Sequence, residues 1–176
     1  MISRRLLLVS VFAALASAGC SLTPESARVR RGKFSVSVRS ASGQTSEQGR
    51  YELMELGGTT RLDLLSPLGG ILARVTISEK GATLEQGDKE LHASTGEELM
   101  ERTLGFALPV SMLSCWLSGT PDPQAPSRSL SADAFEQADW MISVRRRAPD
   151  GTPNLIGALN QAPGRSIRLQ LTAESR

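Results

Sequence analysis

Catalytic and metal-binding chemistry has little to work with in this sequence. The chain holds two cysteines, Cys20 and Cys115, and one histidine, His92. That set cannot build a Cys/His zinc site of the usual composition. A thiol nucleophile needs a base beside it. His92 falls in a different expected element from Cys115, so Cys115 reads best as a small buried apolar residue, with a catalytic thiolate as the sharper alternative. His92 itself reads as an ordinary strand-end or surface residue. Glu97 and Glu98 are sequence neighbours and so do not face each other on a helix; the start of a helix explains them better. There is no G-x-S-x-G elbow, P-loop, H-E-x-x-H or dinucleotide glycine fingerprint. These residues indicate neither an enzyme nor a cofactor or metal site.

Cys20 is the exception. Arg4 and Arg5 precede an uncharged apolar run from Leu6 to Ala16, followed by small residues, which describes an export signal over residues 1–19. The run is short of the roughly 20 apolar residues a permanent span needs, although an uncleaved anchor is the competing reading. Leu15-Ala16-Ser17-Ala18-Gly19-Cys20 resembles a bacterial lipobox. That resemblance implies cleavage before Cys20 and a thioether-linked diacylglycerol on it, with palmitate-type acyl chains. Two or more such chains anchor a protein stably. Residues 20–31 are expected to form a flexible lipidated tether. Ser21 is not the Asp that marks inner-membrane retention in enteric bacteria, so the outer membrane is favoured.

Charge follows from this. The whole chain carries 20 Lys and Arg against 18 Asp and Glu. Loss of the signal removes Arg4 and Arg5 and no acid, leaving 18 of each. The basic excess is therefore a targeting feature and gives no reason to expect nucleic acid, which the 4% aromatic content also disfavours as a stacking partner. Two arginine clusters remain. Arg28, Arg30 and Arg31 are read either as solvated surface or as attraction to anionic lipid, at about 1 kcal/mol per residue near a membrane. For Arg145 to Arg147 a solvated surface is preferred.

Residues 32–176 are expected to form one domain. Phe34, Val36 and Val38 share one face, opposite Lys33, Ser35 and Ser37, with the two-residue period of a half-buried strand. Tyr51 and Leu53, Leu62 and Leu64, Ile71, Ala73, Val75 and Ile77, then Ile142 and Leu169 continue the pattern. Gly57-Gly58, Lys80-Gly81, Gly87-Asp88 and Pro149-Asp150-Gly151 punctuate it as turns. After Ala93 the period changes. Ser94 and Glu97 have capping-box spacing, and a helix is expected to end near Gly105. A second begins at Pro109, with Val110, Leu113, Trp116 and Leu117 at helical intervals. The pattern predicts a mainly β protein, an antiparallel meander closed or partly closed as a barrel, with a helical insert. Its aliphatic interior suits either a filled core or an apolar ligand cavity.

Five motifs in order carry a family resemblance. They are Arg31-Gly32-Lys33-Phe34-Ser35-Val36, Ser66-Pro67-Leu68-Gly69, Gly105-x-x-Leu108-Pro109, Trp116-Leu117-x-Gly119-x-Pro121, and Trp140 opening a late strand. Behind a lipobox, and spanning roughly Arg31 to Leu171, they resemble the LolB family. The resemblance implies an incomplete antiparallel barrel (a half-barrel) whose helical insert covers an acyl-chain cavity. It implies an outer-membrane, lipid-anchored protein facing the periplasm, and it is read as a monomer. Such a protein accepts lipoproteins from the periplasmic carrier LolA and inserts them into outer-membrane phospholipid. Candidate cavity residues are Phe34, Val36, Val38, Leu53, Leu62, Leu64, Ile71, Val75, Leu113, Trp116, Ile142 and Leu169. Leu68 matches an exposed leucine on the family's membrane-insertion loop, whereas local physics alone slightly favours a buried Leu68. The alternative function is a scaffolding lipoprotein of an envelope assembly complex.

Overall fold

The computed structural model describes residues 26–66 and 68–174. Cys20, the expected signal and the first part of the expected tether lie outside the described residues. Six strands come first: β1 (Arg28–Ser40), β2 (Gly43–Leu56), β3 (Thr59–Leu65), β4 (Ile71–Ser78), β5 (Gly81–Gln86) and β6 (Lys89–Ala93). The helix α1 (Gly96–Leu104), a 3-10 turn at Val110–Met112 and the short helix α2 (Leu113–Leu117) follow. Five more strands complete the chain: β7 (Ser127–Ser131), β8 (Ala134–Gln137), β9 (Trp140–Arg147), β10 (Pro153–Ala162) and β11 (Arg165–Ala173).

Each half is an antiparallel meander, because tight turns connect neighbours directly. Gly57 and Gly58 both have positive φ, 56° and 72°, as the two-residue β2–β3 turn requires. The halves join where β11 returns alongside β1, from Gly32 opposite Ala173 to Ser40 opposite Arg165. The result is one eleven-stranded antiparallel sheet in the order β6-β5-β4-β3-β2-β1-β11-β10-β9-β8-β7. Its two edges, β6 and β7, are not paired with each other, so the barrel is incomplete. The helical connection runs between those edges and packs against both halves: α1 on β5 and β6, the 3-10 turn on β3, and α2 on β10.

The inward faces meet in a single hydrophobic cluster. It draws Leu53, Leu62, Val75 and Leu84 from the first half, Ile142, Ile156, Ile167 and Leu169 from the second, and Leu99, Val110, Leu113 and Trp116 from the helical segment.

Three expectations are corrected in detail. First, β1 starts at Arg28, so residues 28–31 are strand where a tether was expected. Arg28 and Arg31 are held by ion pairs to Glu55 and Glu52, at 3.5 Å and 2.5 Å. Second, the cap of α1 lies one residue later than expected. Thr95, not Ser94, accepts from Glu98 N at 3.1 Å, and the Glu98 carboxylate accepts from Ser94 N at 3.0 Å. The three-residue spacing recurs at 95 and 98, and the chain uses that copy. Gly105 ends α1 in the left-handed conformation, with φ 77°. Third, Ile71 faces outward and is 53% exposed. Leu64 lies opposite Ala73, but Leu65 lies opposite Ile71, so Leu72 is an extra residue in β4. Such a bulge reverses the facing of the residue before it.

Candidate functional site

The twelve candidate cavity residues separate by position. Leu53, Leu62, Val75, Leu113, Trp116, Ile142 and Leu169 are buried in the central cluster. Phe34, Val36, Val38 and Leu64 are partly buried against it. Eleven of the twelve thus converge on one aliphatic interior, Leu113 and Trp116 reaching it from α2, and Ile71 does not. Two open grooves lie elsewhere on the surface. One, of about 520 Å³, runs past Arg128, Glu136, Gln137 and Met141. The other, of about 390 Å³, crosses Ser35, Ser37, Glu47 and Arg168. Both are lined by many polar residues and by few of the candidates.

The helical segment is fixed over this interior by its buried apolar side chains and by hydrogen bonds to the sheet. Gln137, at the end of β8, is only 2% exposed. Its Oε1 accepts from Trp116 Nε1 at 3.0 Å and from Asp122 N at 2.9 Å. Its Nε2 donates to Asp122 O at 2.8 Å and Ala125 O at 3.0 Å. All four capacities of the amide are used, so one side chain ties α2 and the proline-rich loop to the sheet. Trp140 Nε1 donates to Ala107 O at 3.2 Å, and the guanidinium of Arg165 donates to Gly105 O. The tryptophans also contact each other in a tilted arrangement, with ring centroids 6.2 Å apart. Sequence reasoning missed Gln137 and Arg165, because an isolated amide or arginine reads as surface until its partners are known.

The outward side has its own buried charge. Asp63 is 4% exposed and takes a two-pronged contact from Arg74, at 2.7 Å and 2.9 Å, with Arg61 at 3.5 Å. This pairing satisfies the carboxylate, as a charge withdrawn from water requires. Cys115 is half-buried, and burial, reinforced by Asp122 and Glu55, pushes its thiol pKa up. A raised pKa leaves less thiolate and weakens it as a nucleophile. His92 is exposed at an edge strand beside Glu90, 3.5 Å away. No group of three His, Cys, Asp or Glu among the described residues is arranged to hold a metal ion. No helix among them is long and apolar enough to cross a membrane.

Leu68 stands apart from all of this at the β3–β4 connection. Ser66 N donates to Gly70 O at 2.8 Å, Gly69 N to Ser66 O at 2.9 Å, and Gly70 N to Ser66 Oγ at 3.1 Å. Gly69 adopts φ 87°, which a side chain would disfavour. The turn holds its aliphatic side chain outward, 99% exposed.

A half-closed antiparallel sheet, an aliphatic interior under a helical strap and an exposed leucine on a hydrogen-bonded turn coincide with a match to a family model. The model described as "Outer membrane lipoprotein LolB" matches residues 29–174. The chain belongs to the LolB family. Among its relatives, the outer-membrane lipoprotein LolB of Bordetella petrii is 36% identical, covering 88% of this chain and 84% of that one. The LolB of Cupriavidus pinatubonensis is 39% identical over 72% of this chain and 67% of its own. That of Bordetella pertussis is 34% identical over 88% and 84%. Among solved structures, a LolA superfamily protein from Nitrosomonas europaea covers 84% of this chain and 87% of its own, at 8% identity and a TM-score of 0.42. That likeness is too loose to argue from.

Proposed function

We propose that this LolB-family chain is anchored to the outer membrane through acylated Cys20, accepts lipoproteins from the periplasmic carrier LolA, and passes them into the bilayer. The interior takes the acyl chains and Leu68 makes the membrane contact. The observation that carries this reading is the full exposure of Leu68, presented by an ordered turn next to an aliphatic-cored half-barrel. A fully exposed leucine in so well-bonded a turn has no role in packing.

The energetics explain why such a protein is needed. Three acyl chains carry roughly 45 methylenes, and at about 0.8 kcal/mol each their exposure to water costs on the order of 35 kcal/mol. Mutual shielding lowers that figure, but free passage through the periplasm remains excluded. Transfer then proceeds down a ladder of apolar environments, from the carrier to this interior to the bilayer, without ATP at this end. The interior residues are packed against one another, so accepting a chain requires the helical strap to shift. The open gap between β6 and β7 lets the strap move without breaking the sheet.

The test is Leu68→Glu. The variant should still take cargo from the carrier but deliver it to vesicles at least about tenfold more slowly, with cargo accumulating on the acceptor. Normal delivery would contradict the role of the loop.

A further inference from the structure

Leu68 is not alone at its end of the molecule. Ile71 and Leu72 are 53% and 56% exposed, so three of the large exposed hydrophobic residues lie within five positions. The β4 bulge adds Ile71 to this face. With regular pairing Leu72 would face Leu65, and Ile71 would join Ala73 and Val75 inside. The extra residue instead brings Ile71 opposite Leu65 and leaves Leu72 unpaired. A bulge that turns Ile71 towards water beside the exposed Leu72 has a cost and no benefit to packing, which marks the surface as a contact site.

We propose that Leu68, Ile71 and Leu72 form one aliphatic wedge that docks the body onto the lipid bilayer, with the β4 bulge as the device that builds it. This rests on the membrane role proposed for Leu68 and extends it to Ile71, which the alternation pattern assigns to the interior, and to its neighbour Leu72. The occupant is a bilayer because of where the chain enters the fold. Arg28 opens β1 opposite Glu55, whereas the wedge follows Leu65, which lies opposite Arg50. Those levels are five residues of β2 apart, about 17 Å at strand rise. The eight-residue stretch from Cys20 to Arg28 spans at most about 28 Å. An anchor at Cys20 can therefore lie in the same membrane plane as the wedge. The same tether would equally permit the opposite orientation, with Leu56 at the far end of β2 facing the membrane. Leu56 is 45% exposed and lies beside the Gly57-Gly58 turn, so it serves as the control.

The experiment places a polarity-sensitive fluorophore on single cysteines at positions 68, 71, 72 and 56, in the mature lipidated chain carrying Cys115→Ser. The chain is reconstituted into phosphatidylethanolamine–phosphatidylglycerol vesicles. Labels at 68, 71 and 72 should all shift to the blue and be quenched by nitroxide lipids, while the label at 56 stays in water. In addition, Ile71→Ser and Leu72→Ser should each weaken vesicle binding of a Cys20→Ser chain about fivefold, with an unchanged thermal midpoint. A response at 68 alone would overturn the wedge and leave the Leu68 reading standing. A response at 56 in place of the three would overturn the orientation and with it the proposal. Silence at all four positions would overturn both membrane readings, whereas uptake of cargo from the carrier would be unaffected.

Discussion

Gln137 is a buried amide, and its four hydrogen bonds decide where Trp116 and the loop after α2 sit. Replacing it with leucine keeps the volume but strands an indole N–H, a backbone N–H and two carbonyls. Leaving buried polar groups unmatched costs about 1–3 kcal/mol each where water cannot reach them. Gln137→Leu should therefore lower unfolding stability by about 3 kcal/mol, read from urea denaturation, and a loss below about 1 kcal/mol would contradict the assigned role. Nothing in the sequence singles this residue out: it sits among polar neighbours, before a turn whose Ala138 and Asp139 adopt positive φ without any glycine to announce it. Leu68 is the opposite case. Its flanking glycines made a turn legible, but a turn leucine can fold inward, and only its burial state decided the matter.

At the scale of elements, the seam between β1 and β11 holds the two meanders together. Gly32 lies in this seam for a steric reason: a Cβ there would sit 1.6 Å from Thr172 O and 2.9 Å from the Tyr51 hydroxyl. That hydroxyl donates to the same carbonyl at 3.2 Å. Gly32→Ala should therefore force the strands apart at their first pair and cost about 3 kcal/mol, at the upper end of overpacking penalties. Calorimetry that found an unchanged thermal midpoint would refute this. Elements with a clear inward face were the legible ones. Phe34, Val36 and Val38 marked β1, and Ile167, Leu169 and Leu171 marked β11, because a half-buried strand must alternate. By contrast, β7 (Ser-Arg-Ser-Leu-Ser) is exposed throughout at the edge of the sheet and so carries no such pattern. In β4 the bulge breaks the period, which is why alternation alone puts Ile71 on the wrong side.

For the whole molecule, the order of the strands leaves one side of the barrel unclosed. Every strand except β6 and β7 has two neighbours, so the sheet is continuous through the β1–β11 seam. Among the described residues, the open side is crossed by α1, the 3-10 turn, α2 and the loop that follows, which are held by a few hydrogen bonds and by side-chain packing. Motion confined to that strap would expose the aliphatic interior at a fraction of the cost of opening a closed barrel. The class of fold was legible because many short alternating segments with tight turns leave few other solutions. Whether the interior is filled or open to ligands was not, since periodicity reports which face is apolar and not what occupies the space behind it.

That question is settled by giving the interior something to bind. A labelled lipoprotein bound to its periplasmic carrier is mixed with the mature chain bearing Cys20→Ser, without membranes or ATP, and the label is followed by gel filtration. Transfer of most of the cargo onto this chain is the predicted result. If the cargo stays with the carrier while the acceptor remains folded by circular dichroism, the account of acyl-chain receipt is wrong.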